Sequence, residues 1–204
     1  MTHEHHHSRE AHRFPAERRA ILKDEERRRW LPPEPILEAA EIPTGSTVLD
    51  IGAGTGFWTL PLSRHVGESG RVLAVDIEPI MHDELRALIA AQGLRNVEVV
   101  PSDELSIPLP DRVADAALLG FVLHEPSDPE RYLREVSRLL RPDARILIVD
   151  WRKAETEKGP PLEHRLSEDE VTGMLRESGF TAETLNAPNA DVYILLGRRG
   201  NLPA

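Results

Sequence analysis

Three glycines on alternate positions, Gly52, Gly54 and Gly56, follow the apolar run Val48, Leu49 and Ile51 in the stretch TVLDIGAGTGFWTLPL, Thr47 to Leu62. Such a loop at a strand end leaves room for a ligand to lie against the backbone. Its spacing disfavours phosphates. No lysine follows the glycines, as a phosphate-gripping G-x-x-x-x-G-K-[ST] loop requires. Position 57, where the dinucleotide pattern G-x-G-x-x-G needs its third glycine, is Phe57. A large side chain there obstructs the approach of a pyrophosphate to the helix start.

The acidic residues point the same way. Asp76 ends the run RVLAVD, where a carboxylate can accept hydrogen bonds from both hydroxyls of a ribose. Asp103 follows VEVVPS and is placed to reach an adenine amino group; Asp50 sits just before the glycines. Three carboxylates around one pocket repel pyrophosphate and suit a cation. A ribose, an adenine and a positive charge without phosphate describe S-adenosylmethionine.

These residues need elements to position them. Thr47–Ile51, Arg71–Asp76, Val97–Val100, Ala114–Gly120 and Arg145–Asp150 read as strands, mostly apolar and suited to burial on both faces. Helices are expected over Ile36–Ala40, Phe57–Val66 and Pro79–Gln92, the last with Pro79 in its first turn and Gly93 as its stop. Another opens at Asp128-Pro129 with Tyr132, Leu133, Val136, Leu139 and Leu140 on one face. Ser167 with Glu170 forms a capping box for a helix that ends at Gly179. Phe180–Leu185 and Asp191–Gly197 are two closing strands with no helix between them, hence an antiparallel hairpin. The alternation predicts an α/β fold: a Rossmann-like, mostly parallel sheet of seven strands with helices on both faces. The glycine loop then lies at the carboxyl edge, where such sheets bind ligands.

The sequence resembles the class I S-adenosylmethionine-dependent methyltransferases. VLDIGAGTGFWTLPL is similar to their first motif, RVLAVDIEPIM to their second and VEVVPSDELSIPLPD to their third. ADAALLGFVLHEPSDPERYLREVSRLLRPDARILIVD resembles the region around their fourth and fifth strands. The resemblance runs from about Glu34 to Arg199 and is nearest to the quinone C-methyltransferase and small-molecule branch. One departure is Pro142-Asp143-Ala144 where the family usually has Pro-Gly-Gly. The resemblance implies that Gly52, Ala53, Gly54, Thr55, Gly56 and Phe57 carry the methionine part of the cofactor, with Asp50 near its amino group. It implies Asp76 at the ribose, Ile77 on the adenine face, and Ser102, Asp103 and Glu104 bordering the adenine. Gly120 and Phe121 are expected at the methionine end.

Methyl transfer from a sulfonium needs alignment, exclusion of water and, for some acceptors, removal of a proton. His124, just past the fourth strand, is placed for that proton as a general base; its other reading is a shaper of the pocket. Trp151, Arg165 and Phe14 are expected at the acceptor, Arg165 either pairing with an acidic group on it or fixing a loop by a salt bridge. Residues 1–33 read as a histidine-rich arm and a charged helical lid, and residues 34–204 as the methyltransferase domain. Arg13 to Trp30 has helix-friendly composition, and its interleaved charges suit a solvated helix better than a nucleic-acid patch. The arm, His3 to His12, reads as a polar tail, and no metal site is expected.

Composition narrows the rest. At 204 residues and a formal net charge of −10, the chain is expected to be one domain that does not bind nucleic acid generally. It has no cysteine, so no thiolate nucleophile. No apolar run approaches the ~20 residues of a membrane span, and a cytoplasmic location is expected, with a homodimer as one arrangement. The expected function is methyl transfer to a small-molecule acceptor. The alternatives are an RNA or protein methyltransferase and a non-catalytic S-adenosylmethionine-binding module.

Overall fold

A computed structural model of the chain describes residues 25–200. The histidine-rich arm, Phe14 and most of the expected first helix lie outside the described residues.

The parallel strands at the centre of the sheet are apolar and buried on both faces, and the chain crosses back over the sheet between them. The strands are β1 (Thr47–Ile51), β2 (Arg71–Asp76), β3 (Val97–Pro101), β4 (Ala114–Gly120), β5 (Leu140–Trp151), β6 (Phe180–Leu185) and β7 (Val192–Arg199). They form one sheet in the order β3-β2-β1-β4-β5-β7-β6, with β7 antiparallel to both its neighbours. The expected hairpin is there, and β7 slots between β5 and β6. The order reverses direction at β1, which carries the glycine loop beside β4 and so places it at the ligand-binding crevice of such sheets.

The helices are α1 (Glu25–Trp30), α2 (Pro33–Ala39), α3 (Thr59–Val66), α4 (Pro79–Gln92), α5 (Pro129–Leu139) and α6 (Glu168–Glu177). Alternate strand residues feed two cores. Val48, Leu118, Leu147 and Ile194 pack with Ile36, Leu37 and Leu62 from α2 and α3. Leu49, Leu119, Ile148 and Leu195 pack with Leu133, Val136 and Leu175 from α5 and α6. Two caps form as expected. Asp128 accepts from the Arg131 N–H, and the Ser167–Glu170 capping box closes reciprocally.

Several boundaries differ from expectation for local reasons. The proline-rich stretch Leu31-Pro32-Pro33-Glu34-Pro35 reads as a break in the sequence, but Pro33 and Pro35 sit in the first turn of α2, because that turn needs no amide donors. The helix α3 starts at Thr59 instead of Phe57, because the glycine loop is still turning at Phe57 and Trp58. Strand β5 begins at Leu140, which pairs with Ala114, and after an irregularity over 141–144 the pairing resumes at Arg145 opposite Ala116.

Candidate active site

The loops at the carboxyl ends of β1, β2, β3, β4 and β5 enclose one cavity of about 750 Å³. Gly52, Ala53, Gly54, Thr55 and Phe57 line it beside Asp76, Ile77, Ser102, Asp103, Glu104, Gly120 and Phe121. Two residues expected at the cofactor do not reach its wall. Gly56 turns toward α4: a Cβ there would meet Leu88 at 2.6 Å and Leu85 at 2.9 Å, so its glycine serves helix packing. Asp50 is fully buried beneath the loop, where its Oδ2 accepts from Thr59 Oγ1 at 2.5 Å. Burial pushes the Asp50 carboxyl up to about 7, against the pull of Thr59.

Asp76 ties the loop to β2. Its Oδ2 accepts from the Gly54 N–H at 2.7 Å and its Oδ1 from the Glu78 N–H at 2.9 Å. Each oxygen keeps a further lone pair for a ligand hydroxyl. Glu104 borders the cavity and also accepts from the N–H and Oγ of Ser127, holding the segment that follows His124.

Strands β4 and β5 run side by side with Gly120 opposite Val149, so residues at their carboxyl ends can meet. His124 Nδ1 lies 2.7 Å from Asp150 Oδ1, and both side chains are buried. An ionised carboxylate can only accept, so Nδ1 carries the proton and Nε2 is the nitrogen left for other work. Burial alone would depress the His124 pKa, but the charge and hydrogen bond of Asp150 outweigh it, and the net shift is upward. Tyr132 on α5 also lines this end; burial raises its hydroxyl and keeps it neutral.

An aromatic group lines the cavity past the ends of β4 and β5. Trp30 lies 6.1 Å from Phe121 and 5.3 Å from Trp151 between ring centroids, and Phe121 lies 5.0 Å from Trp151. Phe121 holds a φ of +61°, a conformation that a bulky residue adopts only under local constraint. Glu26, Arg27 and Trp30 of α1 and the segment Glu157–Pro161 also line the cavity. Lys158 Nζ and Glu26 Oε1 come within 3.6 Å between the two.

Arg165 corrects an expectation. It is 4 % exposed and absent from the cavity wall. Its guanidinium donates to the carbonyls of Arg152, Ala154, Lys158 and Pro160 at 2.7 to 3.1 Å. The donors that an acceptor would need are spent on folding the 152–161 segment, so Arg165 fixes the loop through carbonyls and not through a salt bridge. Trp58 packs in the core and borders the cavity as well, its Nε1 buried without a partner among the described residues.

Residues 48–143 match the family described as a methyltransferase domain. A ubiquinone/menaquinone biosynthesis C-methyltransferase from Enterobacter sp. (strain 638) is 35% identical over 118 residues, which is 57% of this chain and 47% of that protein. The chain thus spans about half the length of the curated relatives it matches. A crystal structure of a SAM-dependent methyltransferase from Aquifex aeolicus superposes with a TM-score of 0.86 at 35% identity, covering 91% of this chain and 99% of that one. The chain belongs to the S-adenosylmethionine-dependent methyltransferases. The [4+2]-cyclase SpnF, with a TM-score of 0.68 at 21% identity over 81% of this chain and 78% of its own, shares the fold alone.

S-adenosylmethionine is the cofactor of this methyltransferase family, and the residues present fit it. Asp76, a buried carboxylate with spare lone pairs, lines the cavity beside the glycine loop and suits the hydroxyls of a ribose. Glu78, Asp103, Glu104 and Glu125 give the wall an acidic character that suits a sulfonium. Sequence reasoning did not find Asp150, Tyr132, Arg27 or Lys158. Asp150 carried a signal, an acidic residue ending β5, and it needed the strand order to be read as a partner of His124.

Proposed function

We propose that this methyltransferase moves the cofactor's methyl group to a small-molecule acceptor bound beneath Trp30, Phe121 and Trp151, with His124 as the base. When bound, the cofactor supplies an activated methyl group on a sulfonium. The observation that carries the proposal is the continuity of one cavity from Asp76, past the glycine loop, to the aromatic rings and His124. Its volume falls within the roughly 300–1,000 Å³ of small-molecule sites. The likeness to quinone C-methyltransferases supports a planar acceptor, for which a wall of three packed rings is a suitable surface.

The chain's own work is positioning and proton removal. Asp76 and the Gly54 turn hold the adenosine half, the aromatic roof excludes water, and Asp150 holds the His124 ring so that Nε2 takes the acceptor's proton. The products are the methylated acceptor, S-adenosylhomocysteine and a proton on His124. Under the same proposal the acceptor is a diffusible cytoplasmic metabolite rather than RNA or protein, in keeping with the net charge of −10. The test is to incubate the chain with methyl-labelled S-adenosylmethionine and a metabolite extract. Label in the small-molecule fraction is the expected result. Label only in protein or RNA, or none with any extract, overturns the reading.

A further inference from the structure

Three consecutive arginines end α1, and they differ in what they meet. Arg28 pairs with Glu34 at 2.8 Å and Arg29 with Glu25 at 3.7 Å. Arg27 faces the cavity, and among the described residues it has neither a carboxylate partner nor a side-chain hydrogen bond. Its guanidinium lies 4.1 Å from the centroid of Phe57 and 5.6 Å from that of Phe121. Ring faces attract a cation by about 0.5–2 kcal/mol but leave its five N–H donors in the ring planes' surroundings unused. A half-buried cation of this kind is costly unless something anionic meets it.

The order of loops along the sheet edge says which anion is near. Asp76, at the end of β2, takes the ribose. The β3 loop, beyond it, takes the adenine. The remaining part of the cofactor must therefore extend the other way, across β1 toward β4. Phe57 follows the β1 glycine loop and Phe121 follows β4, so Arg27 stands over that stretch. S-adenosylmethionine carries one anionic group, the α-carboxylate of its methionine, and it lies at this end.

We propose that Arg27 binds the α-carboxylate of the cofactor's methionine, so that α1 is fastened to the cofactor as well as to the aromatic roof. Burial pushes the guanidinium down to about 10, which leaves it cationic at neutral pH. A carboxylate meets the guanidinium through paired N–H donors, a geometry that lysine does not reproduce. The proposal rests on the cavity being the cofactor site. An anionic group on the acceptor is the competing source of the same chemistry, and the test separates the two.

The probes are S-adenosylmethionine and decarboxylated S-adenosylmethionine, which differ only in the carboxylate, titrated by calorimetry. The full chain is expected to prefer S-adenosylmethionine by about 10- to 100-fold, the range of a charged hydrogen bond. Arg27→Met should abolish that preference by weakening S-adenosylmethionine alone, and Arg27→Lys should keep part of it. Failure of the unmutated chain to bind either probe overturns the cofactor site itself. An undiminished preference in Arg27→Met overturns the proposal and gives Arg27 to the acceptor. Equal weakening of both probes, or a lowered melting temperature that Arg27→Lys does not restore, makes the residue structural and also overturns it.

Discussion

At the scale of single residues, chemistry is concentrated in two carboxylates with different surroundings. Asp76 accepts from two backbone amides that aim it at the cavity, so its loss removes a ligand contact and the tie on the glycine loop together. Asp76→Ala is expected to weaken S-adenosylhomocysteine binding by about 1.5–3 kcal/mol in a chain that still folds, as calorimetry would show. Unchanged affinity would mean that the ribose is held elsewhere. Asp150 acts through His124. A base must be neutral to accept a proton, so transfer should rise with pH through the His124 pKa, which stands above the ordinary imidazole value of about 6.5. Asp150→Asn removes the attraction and leaves the burial, so the acid limb of the pH–rate profile should move to lower pH while the plateau falls. A limb that stays in place would show that His124 is a wall of the pocket and not its base.

At the scale of elements, most strands and helices were legible because buried parallel strands are unbroken apolar runs and because caps use specific residues. The Ser167–Glu170 box and the Asp128 cap formed as read. What stayed hidden depends on pairing between elements. The insertion of β7 beside β5 follows from strand order, which no local pattern encodes, and the His124–Asp150 contact follows from β4 lying next to β5. Arg165 stayed between two readings because arginine is seldom fully buried, and its hold on the loop emerges only once the 152–161 carbonyls converge on it. One departure in sequence has a structural cost. Asp143, where the family's turn usually carries glycine, holds a φ of +63°. Asp143→Gly relieves the left-handed strain of a residue with a Cβ, partly offset by glycine's freedom in the unfolded chain. It should raise stability by about 0.5–1 kcal/mol. The urea midpoint measures this, and a midpoint that falls would show that the aspartate side chain supports the turn.

At the scale of the whole molecule, the sheet supplies a floor for the cofactor, and the roof is assembled from two distant parts of the chain. One is α1, the other the 152–165 segment that Arg165 folds. They meet through the Trp30–Trp151 ring contact and the Lys158–Glu26 pair, while Asn189 from the approach to β7 donates to the Trp30 carbonyl at 2.8 Å. The exposed ion pair contributes little by itself, so the ring contacts and the Asn189 bond hold α1 down. The core begins just after this helix, with Leu31, Ile36 and Leu37 buried. Removing residues 1–30 should therefore leave a folded core that still binds S-adenosylhomocysteine, though more weakly once Arg27 is gone. The truncated chain loses Trp30 from one side of the acceptor space and exposes Phe121 and Trp151 to water. Methyl transfer to the acceptor should fall to background, because the reacting groups are neither aligned nor shielded. Circular dichroism, calorimetry and labelled transfer on the same preparation separate folding, cofactor binding and chemistry. Full transfer by the truncated chain would mean that the 152–165 segment covers the site alone and that α1 lies on the surface without a part in catalysis.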